Sequence, residues 1–377
     1  RGLGDVYKRQ KIHRIMKIKN IFFAAILVLA GFSCSMEDDA IMNDVEKGIE
    51  EATEAYTVLD FGVAFNEMAT KASTTVVPGE DRPATGDENN DEKKISEVSV
   101  FLLEDGKVIG ILKSQNRNQV SSNSDGSITL KDLKFVTKYK TNRTLDAHVV
   151  INGNQFLKNI NIGDAQSALN QQISGCLSAD QLIKYGSTRI VFGKDITNSY
   201  SSPSVAENNP TTILVKVSHV AARLDFSQFD VTLKGFEGNP TVVFDEAKFV
   251  NLQQNGKIVE GDASVNVKDG AFLNRSNRIG TRWTDMGTAY GYANQYRQDS
   301  EMNTALYVKF TVDGRTFEKT YPINPAGITK EVDHNGIKGG YLYDIKVRWT
   351  ITPDWGDSTI EFYTRDWVHN TIPEVVL

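Results

Sequence analysis

Apolar residues recur with a period of two in short runs along most of the chain, a pattern that fits a pleated strand and not a helix. Ile95 to Leu103 is the cleanest case. Val98, Val100 and Leu102 share one face, with Ser96, Glu97 and Ser99 around them. Asp105-Gly106 then turns the chain into Val108 to Leu112, a hairpin signal. Comparable runs cover Tyr56 to Phe65, Ser127 to Leu133, Leu145 to Asn152, Ile190 to Phe192, Ile213 to Leu233 and Thr241 to Asn251. The second half continues with Leu306 to Val312, an Asp313-Gly314 turn, Phe317 to Tyr321, Tyr341 to Ile351 and Ile360 to Val368. One stretch, Asp164 to Tyr185, reads as helical through Ala165, Ala168, Leu169, Leu182 and Ile183, with a break at Gly175. Many short strands, Gly/Asn/Asp turns and little helix predict an all-β protein built of antiparallel β-sandwiches. At 377 residues there is room for about two domains of ~150 residues. Ser199 to Pro210 is rich in Ser, Asn and Pro and ends a unit. The expected division is therefore 56–216 and 217–377, with one short helical insert in the first.

The start of the chain reads differently. Residues 1–15 stand apart, and Arg1 to Gln10 look foreign to the protein, so a native start is expected at Met16. Lys17 and Lys19 precede an apolar run from Ile21 to Phe32, too short for the ~20 residues of a membrane-spanning helix. A basic start followed by a short apolar core is a secretory signal, expected over 16–33. It ends in Leu29-Ala30-Gly31-Phe32-Ser33-Cys34, which resembles a bacterial lipobox. That resemblance implies cleavage before Cys34 and lipid on its thiol; the alternative is a free cysteine closing an ordinary signal. Glu37, Asp38 and Asp39 follow, and 34–55 reads as an acidic tether, its acidic run similar to a surface-export signal. Residues 69–94 hold Thr, Pro, Gly, Asp, Glu and Asn with almost no core material, a long loop of the kind that usually carries function.

Composition excludes several classes. With 42 Lys+Arg against 48 Asp+Glu the net charge is −6, which argues against a nucleic-acid surface. Two cysteines, Cys34 and Cys176, exclude a disulfide scaffold and a cysteine-based zinc site. The five histidines never fall at ligand spacing. His148 and His219 read as sheet residues, and Cys176 as a small buried hydrophobe. No G-x-S-x-G, H-E-x-x-H, phosphate loop or G-x-G-x-x-G is present. Asp87-x-Asn89-x-Asp91 has Glu92 where a calcium loop needs glycine and Val98 where it needs a carboxylate. No enzyme activity, cofactor or metal is expected. Trp283, Tyr290, Tyr292 and Tyr296 leave open an aromatic, sugar-stacking surface.

In order along the chain, several segments resemble those of the FimA-type fimbrillins, subunits of the type V pilus of Bacteroidetes. They are Cys34 with its acidic tether, Tyr56 to Phe65, the long loop, Lys94 to Leu102, and Arg143 to Asn152 running into Gly153-Asn154. Val217 to Leu224, with Arg223, is similar to the family's inter-domain strand, Gly339 to Val347 to its penultimate strand, and Asp366-Trp367-Val368 to its final one. The resemblance implies two transthyretin-like β-sandwich domains in tandem. It implies export as a surface lipoprotein held on the outer membrane by lipid at Cys34. A trypsin-like protease then cuts the loop after the first strand. That strand leaves, the C-terminal strand of another subunit fills the groove, and a fimbrium grows, with other fimbrial subunits as partners in what is expected to be a homo-polymer serving adhesion. The alternative role on the same fold is a tip adhesin or glycan-binding surface lipoprotein.

Two segments can be matched to those roles. Ile360, Phe362, Trp367, Val368, Ile372, Val375, Val376 and Leu377 form an apolar tail that suits a donor strand. The same tail could instead complete its own sheet. Among the loop's basic residues, Arg82 precedes Pro83, and Lys93 and Lys94 adjoin the strand beginning at Ile95. Lys71 lies between Thr70 and Ala72 without an apolar anchor, so the expected cut is Lys71-Ala72; the alternative is a solvated loop lysine.

Overall fold

The computed structural model describes residues 54–65, 90–114, 120–122, 128–274, 278–324, 335–354 and 356–366. Cys34, the Lys71-Ala72 bond and Trp367 to Leu377 lie outside them. The described chain is all-β, with a single short α-helix.

The first region holds β1 (Tyr56–Phe65), β2 (Val98–Glu104), β3 (Lys107–Ser114), β4 (Val120–Ser122), β5 (Ile128–Lys138), β6 (Thr144–Ile151), β7 (Gln172–Ser174), β8 (Lys184–Val191) and β9 (Thr211–His219). Eight of these join in the order β3-β2-β6-β8-β9-β1-β5-β4. β9 is the corner. Its Thr211–Val217 part runs parallel to β1, and Ser218 and His219 pair with β8. Gly186 marks the close approach there: a Cβ on it would sit 1.8 Å from the Lys216 carbonyl oxygen. The two arms of the sheet share one core, in which Leu59, Phe61 and Val63 meet Val98, Val100, Leu102 and Val149.

The second region holds β10 (Ala222–Leu233), β11 (Val242–Val250), β12 (Leu252–Gln253), β13 (Asn255–Lys257), β14 (Val267–Lys268), β15 (Phe272–Asn274), β16 (Arg278–Ile279), β17 (Arg282–Gly291), β18 (Ala305–Val312), β19 (Arg315–Pro322), β20 (Tyr341–Ile351) and β21 (Gly356–Asp366). A sheet β17-β10-β20-β21 faces a sheet built on β15-β11-β18-β19. Aromatic side chains fill the space between them. The Phe229 ring lies 5.3 Å from both Trp283 and Phe310 and 5.4 Å from Phe244. Such edge and tilted contacts contribute beyond the buried area alone.

Both hairpins expected from Asp-Gly pairs form. Asp105 and Gly106 have φ of 50° and 72°, Asp313 and Gly314 of 45° and 83°, the left-handed pair that a two-residue turn needs. Other expectations change. The sheets are antiparallel except for β1 on β9 and β10 on β20. Asp164–Tyr185 is not a helix but two short 3-10 turns, Gln166–Leu169 and Ala179–Gln181, around β7. Gly175 (φ 73°) and Cys176 (φ 56°) turn left-handed, which no helix accommodates. The helix is α1, Pro203–Glu207, capped by the Ser202 hydroxyl at the Val205 amide. β9 runs through the expected 216/217 division to His219.

A third core lies where the regions meet. Phe101, Leu103, Val150, Ile173 and Leu182 from the first pack with Ala221, Ile258, Tyr292 and Leu342 from the second. β7 also pairs with β13 across the seam. This core takes Phe101 and Leu103, so β2 is buried on both faces.

Candidate assembly site

β1 is the first described strand, and it sits inside its sheet instead of at an edge. On one side Leu59 to Phe65 pair parallel with Thr211 to Val217 of β9. On the other, Tyr56 to Asp60 pair antiparallel with Lys138 to Lys134 of β5, and a bulge leads to Gly62 opposite Thr129. Val58, Leu59, Phe61 and Val63 have no solvent exposure. Each such side chain contributes about 1.5–3 kcal/mol when buried. Removal of β1 would therefore open a slot lined with apolar side chains and edged by unpaired backbone groups, the template for strand addition.

The N-terminal end of β1 is tied down lightly. Tyr56 and Tyr200 exchange two backbone hydrogen bonds of 2.8 Å, and the Tyr139 amide donates to the Ala55 carbonyl at 2.6 Å. The Glu54 carboxylate takes an ammonium hydrogen bond from Lys138 and, at 2.5 Å, the Tyr56 hydroxyl. The Lys138 contact, then the Tyr56 hydroxyl, hold the Glu54 carboxyl below its ordinary range. All three groups face water, where such pairs contribute little.

β21 holds the described part of the expected donor segment. It is the edge strand of its own chain's sheet, with Ile360 opposite Val347 and Phe362 opposite Ile345 of β20. The remaining tail residues, Trp367, Val368, Ile372, Val375, Val376 and Leu377, follow outside the described residues, as do Lys71, Ala72 and Cys34.

The fold is similar to that of a candidate cell adhesion protein from Parabacteroides distasonis. The TM-score is 0.55 at 18% identity, covering 84% of this chain and 98% of that one. A fimbrillin from Porphyromonas gingivalis also aligns, with a TM-score of 0.48 at 15% identity, over 84% of this chain and 99% of that one. At these identities the first likeness speaks for the fold. No protein-family model and no curated protein matches the sequence. The all-β fold read from the residues thus has its counterpart in a solved structure.

Two of the four residues that left open an aromatic surface are not available for one. Trp283 and Tyr292 are 5% and 1% exposed. Trp283 stacks into the second core, and the Tyr292 hydroxyl donates to the Gly175 carbonyl at 2.6 Å. Burial raises the Tyr292 and Tyr290 phenols well above their ordinary range. The sequence reading assigns no strand at β17, which carries Trp283 and ends just before Tyr292. His148 and His219 are buried sheet residues; the His148 Nδ1 lies 2.7 Å from the Tyr185 hydroxyl. Cys176 is a free, half-buried thiol, raised in pKa by burial and 3.1 Å from the Gln155 amide nitrogen.

Proposed function

We propose that the protein is a structural subunit of a fimbrium, organised as two tandem β-sandwich domains and polymerised by exchange of β1 for the tail of another copy. One observation carries this reading. β1 occupies an internal position in its sheet with four fully buried apolar side chains. Leaving the slot empty would remove a large part of a typical stability of about 5–15 kcal/mol. The donor therefore enters as β1 leaves.

The other parts of the reading come from the sequence. Cys34 carries the lipid that holds the precursor on the outer membrane, surface-exposed, before the fimbrium forms. A trypsin-like protease cuts Lys71-Ala72 and frees everything up to Lys71, β1 included. The donor is the apolar tail from Ile360 to Leu377, with Trp367 and the residues after it entering the slot. Adhesion is a property of the finished fibre. The adhesin alternative loses its sequence support, because two of its four aromatic residues belong to the cores.

Trypsin treatment of the purified precursor tests the reading. Electron microscopy should show polymers, and N-terminal sequencing of them should read from Ala72. Fibres that retain Cys34, or normal fibres from a Lys71→Ala precursor, would refute this cut. A chain lacking Trp367 to Leu377 should stay a folded monomer.

A further inference from the structure

Residues 90–97 lead from the long loop into β2, and several polar groups along them are hydrogen-bonded. Asn90–Lys93 form a 3-10 turn, and the Lys94 amide donates to the Asp91 carbonyl at 3.2 Å. The Lys94 carbonyl accepts from the Asn152 side-chain amide at 2.9 Å and the Lys184 ammonium at 3.5 Å. The Asn152 side-chain oxygen takes the Ser96 amide at 2.9 Å. The Asn154 amide donates to the Glu97 carboxylate at 2.7 Å.

Glu92 anchors the segment across the seam. Its side chain is 1% exposed, 3.0 Å from the Arg223 guanidinium of β10 and hydrogen-bonded by the Tyr290 hydroxyl of β17. Arg223 is held in turn by Asp225 at 2.9 Å, which also accepts from the Thr288 hydroxyl at 2.8 Å. Burial disfavours the Arg223 charge, and the Asp225 and Glu92 carboxylates outweigh it. A His219 ring nitrogen lies 3.4 Å from the Glu92 carbonyl oxygen. A buried carboxylate left without its partners is expensive, so the network is all-or-none.

These bonds fall on the atoms that a protease must handle. To hydrolyse Lys94-Ile95 it must seat the Lys94 carbonyl in its oxyanion hole, add water across the C–N bond, and release a Lys94 carboxylate and an Ile95 amine. That carbonyl is already bonded inside the fold. To hydrolyse Lys93-Lys94 it must release the Lys94 amide from Asp91. Susceptibility follows backbone burial and hydrogen bonding, not sequence position. We infer that Glu92, Arg223, Tyr290 and Asn152 form a clamp that closes Lys93 and Lys94 to trypsin-like proteases and confines processing to the loop before Asn90. The clamp sets where the proposed processing can occur, and in that sense rests on that reading. It also means that the chain start left by a cut stays attached to the second region.

The experiment is trypsin digestion of the purified full chain, with new N-termini between residues 66 and 97 mapped over time by mass spectrometry. The wild type should give no termini at Lys94 or Ile95 while cuts before Asn90 go to completion. Glu92→Gln and the milder Tyr290→Phe should open those two sites at least about tenfold faster. Bonds after Lys134 in β5 and Arg189 in β8 report global unfolding and should stay intact in Tyr290→Phe. Rapid wild-type cleavage at Lys93 or Lys94 overturns the clamp, and so does a folded Tyr290→Phe that remains closed there. Fibres assembling from a chain uncut throughout 66–97 would instead refute the processing reading and leave the clamp result standing.

Discussion

The two regions place their first strands alike. β1 lies between a parallel neighbour, β9, and an antiparallel one, β5; β10 lies between parallel β20 and antiparallel β17. Their attachments differ. β10 continues from β9 through Val220-Ala221, carries Arg223 of the seam network, and sends Phe229 into a cluster of rings. β1 packs in a mostly aliphatic core and has exposed polar ties at its N-terminal end. If β1 is exchanged as proposed, equal burial does not mean equal permanence, and what separates the two strands is what else hangs on each.

Several experiments would break or sharpen that contrast. The largest effect should follow removal of residues 54–65. Hydrogen exchange should show loss of protection across β5 and β9, restored by an added peptide of the β1 sequence. Protection retained without the peptide would make β1 dispensable. Next, Phe61→Ala and Phe229→Ala should each lower monomer stability by about 3–5 kcal/mol in urea unfolding. In fibres processed at Lys71 only Phe229→Ala should still destabilise, because Phe61 has left. Gly186→Ala forces the corner of β9 apart and should lower stability by about 1–3 kcal/mol. Tyr292→Phe removes one seam hydrogen bond and should change the urea midpoint by the equivalent of about 1 kcal/mol. The smallest effect concerns acid. The Arg143 guanidinium, bonded to Glu104 at 2.7 Å and 2.8 Å, lowers the Glu104 pKa. Its contribution is thus present above the unfolded-state value and disappears as pH falls through the lower folded one. Glu104→Gln should slightly flatten the acid side of the stability profile.

Strands and tight turns were legible because their determinants are local. Period-two alternation marks β2, and Asp105-Gly106 and Asp313-Gly314 mark their hairpins. Partners distant in sequence were not legible. Nothing near Leu59 announces that it pairs with Thr211, and nothing near Ile173 announces a ladder with Gly256. The stretch 164–185 looked helical because Leu169, Leu182 and Ile183 are apolar. They are apolar because a third core needs them, on a backbone of turns. Glu92 fell in the run read as a long loop; Arg223 and Tyr290, more than a hundred residues away, hold it in a buried network. Of the assembly site, the apolar strand at 56–65 was visible in advance, and its internal place in the sheet was not.

The mixed walls of the β1 slot give it an arrow. A strand replacing β1 in the same sense keeps a parallel ladder toward β9 and an antiparallel one toward β5. A reversed strand would have to re-space every main-chain bond on both sides. If each subunit receives its donor in that one sense, head and tail are never equivalent. Head-to-tail contacts of that kind form a ring where the rotation between subunits closes, and otherwise continue as an open helix or filament whose two ends are chemically distinct.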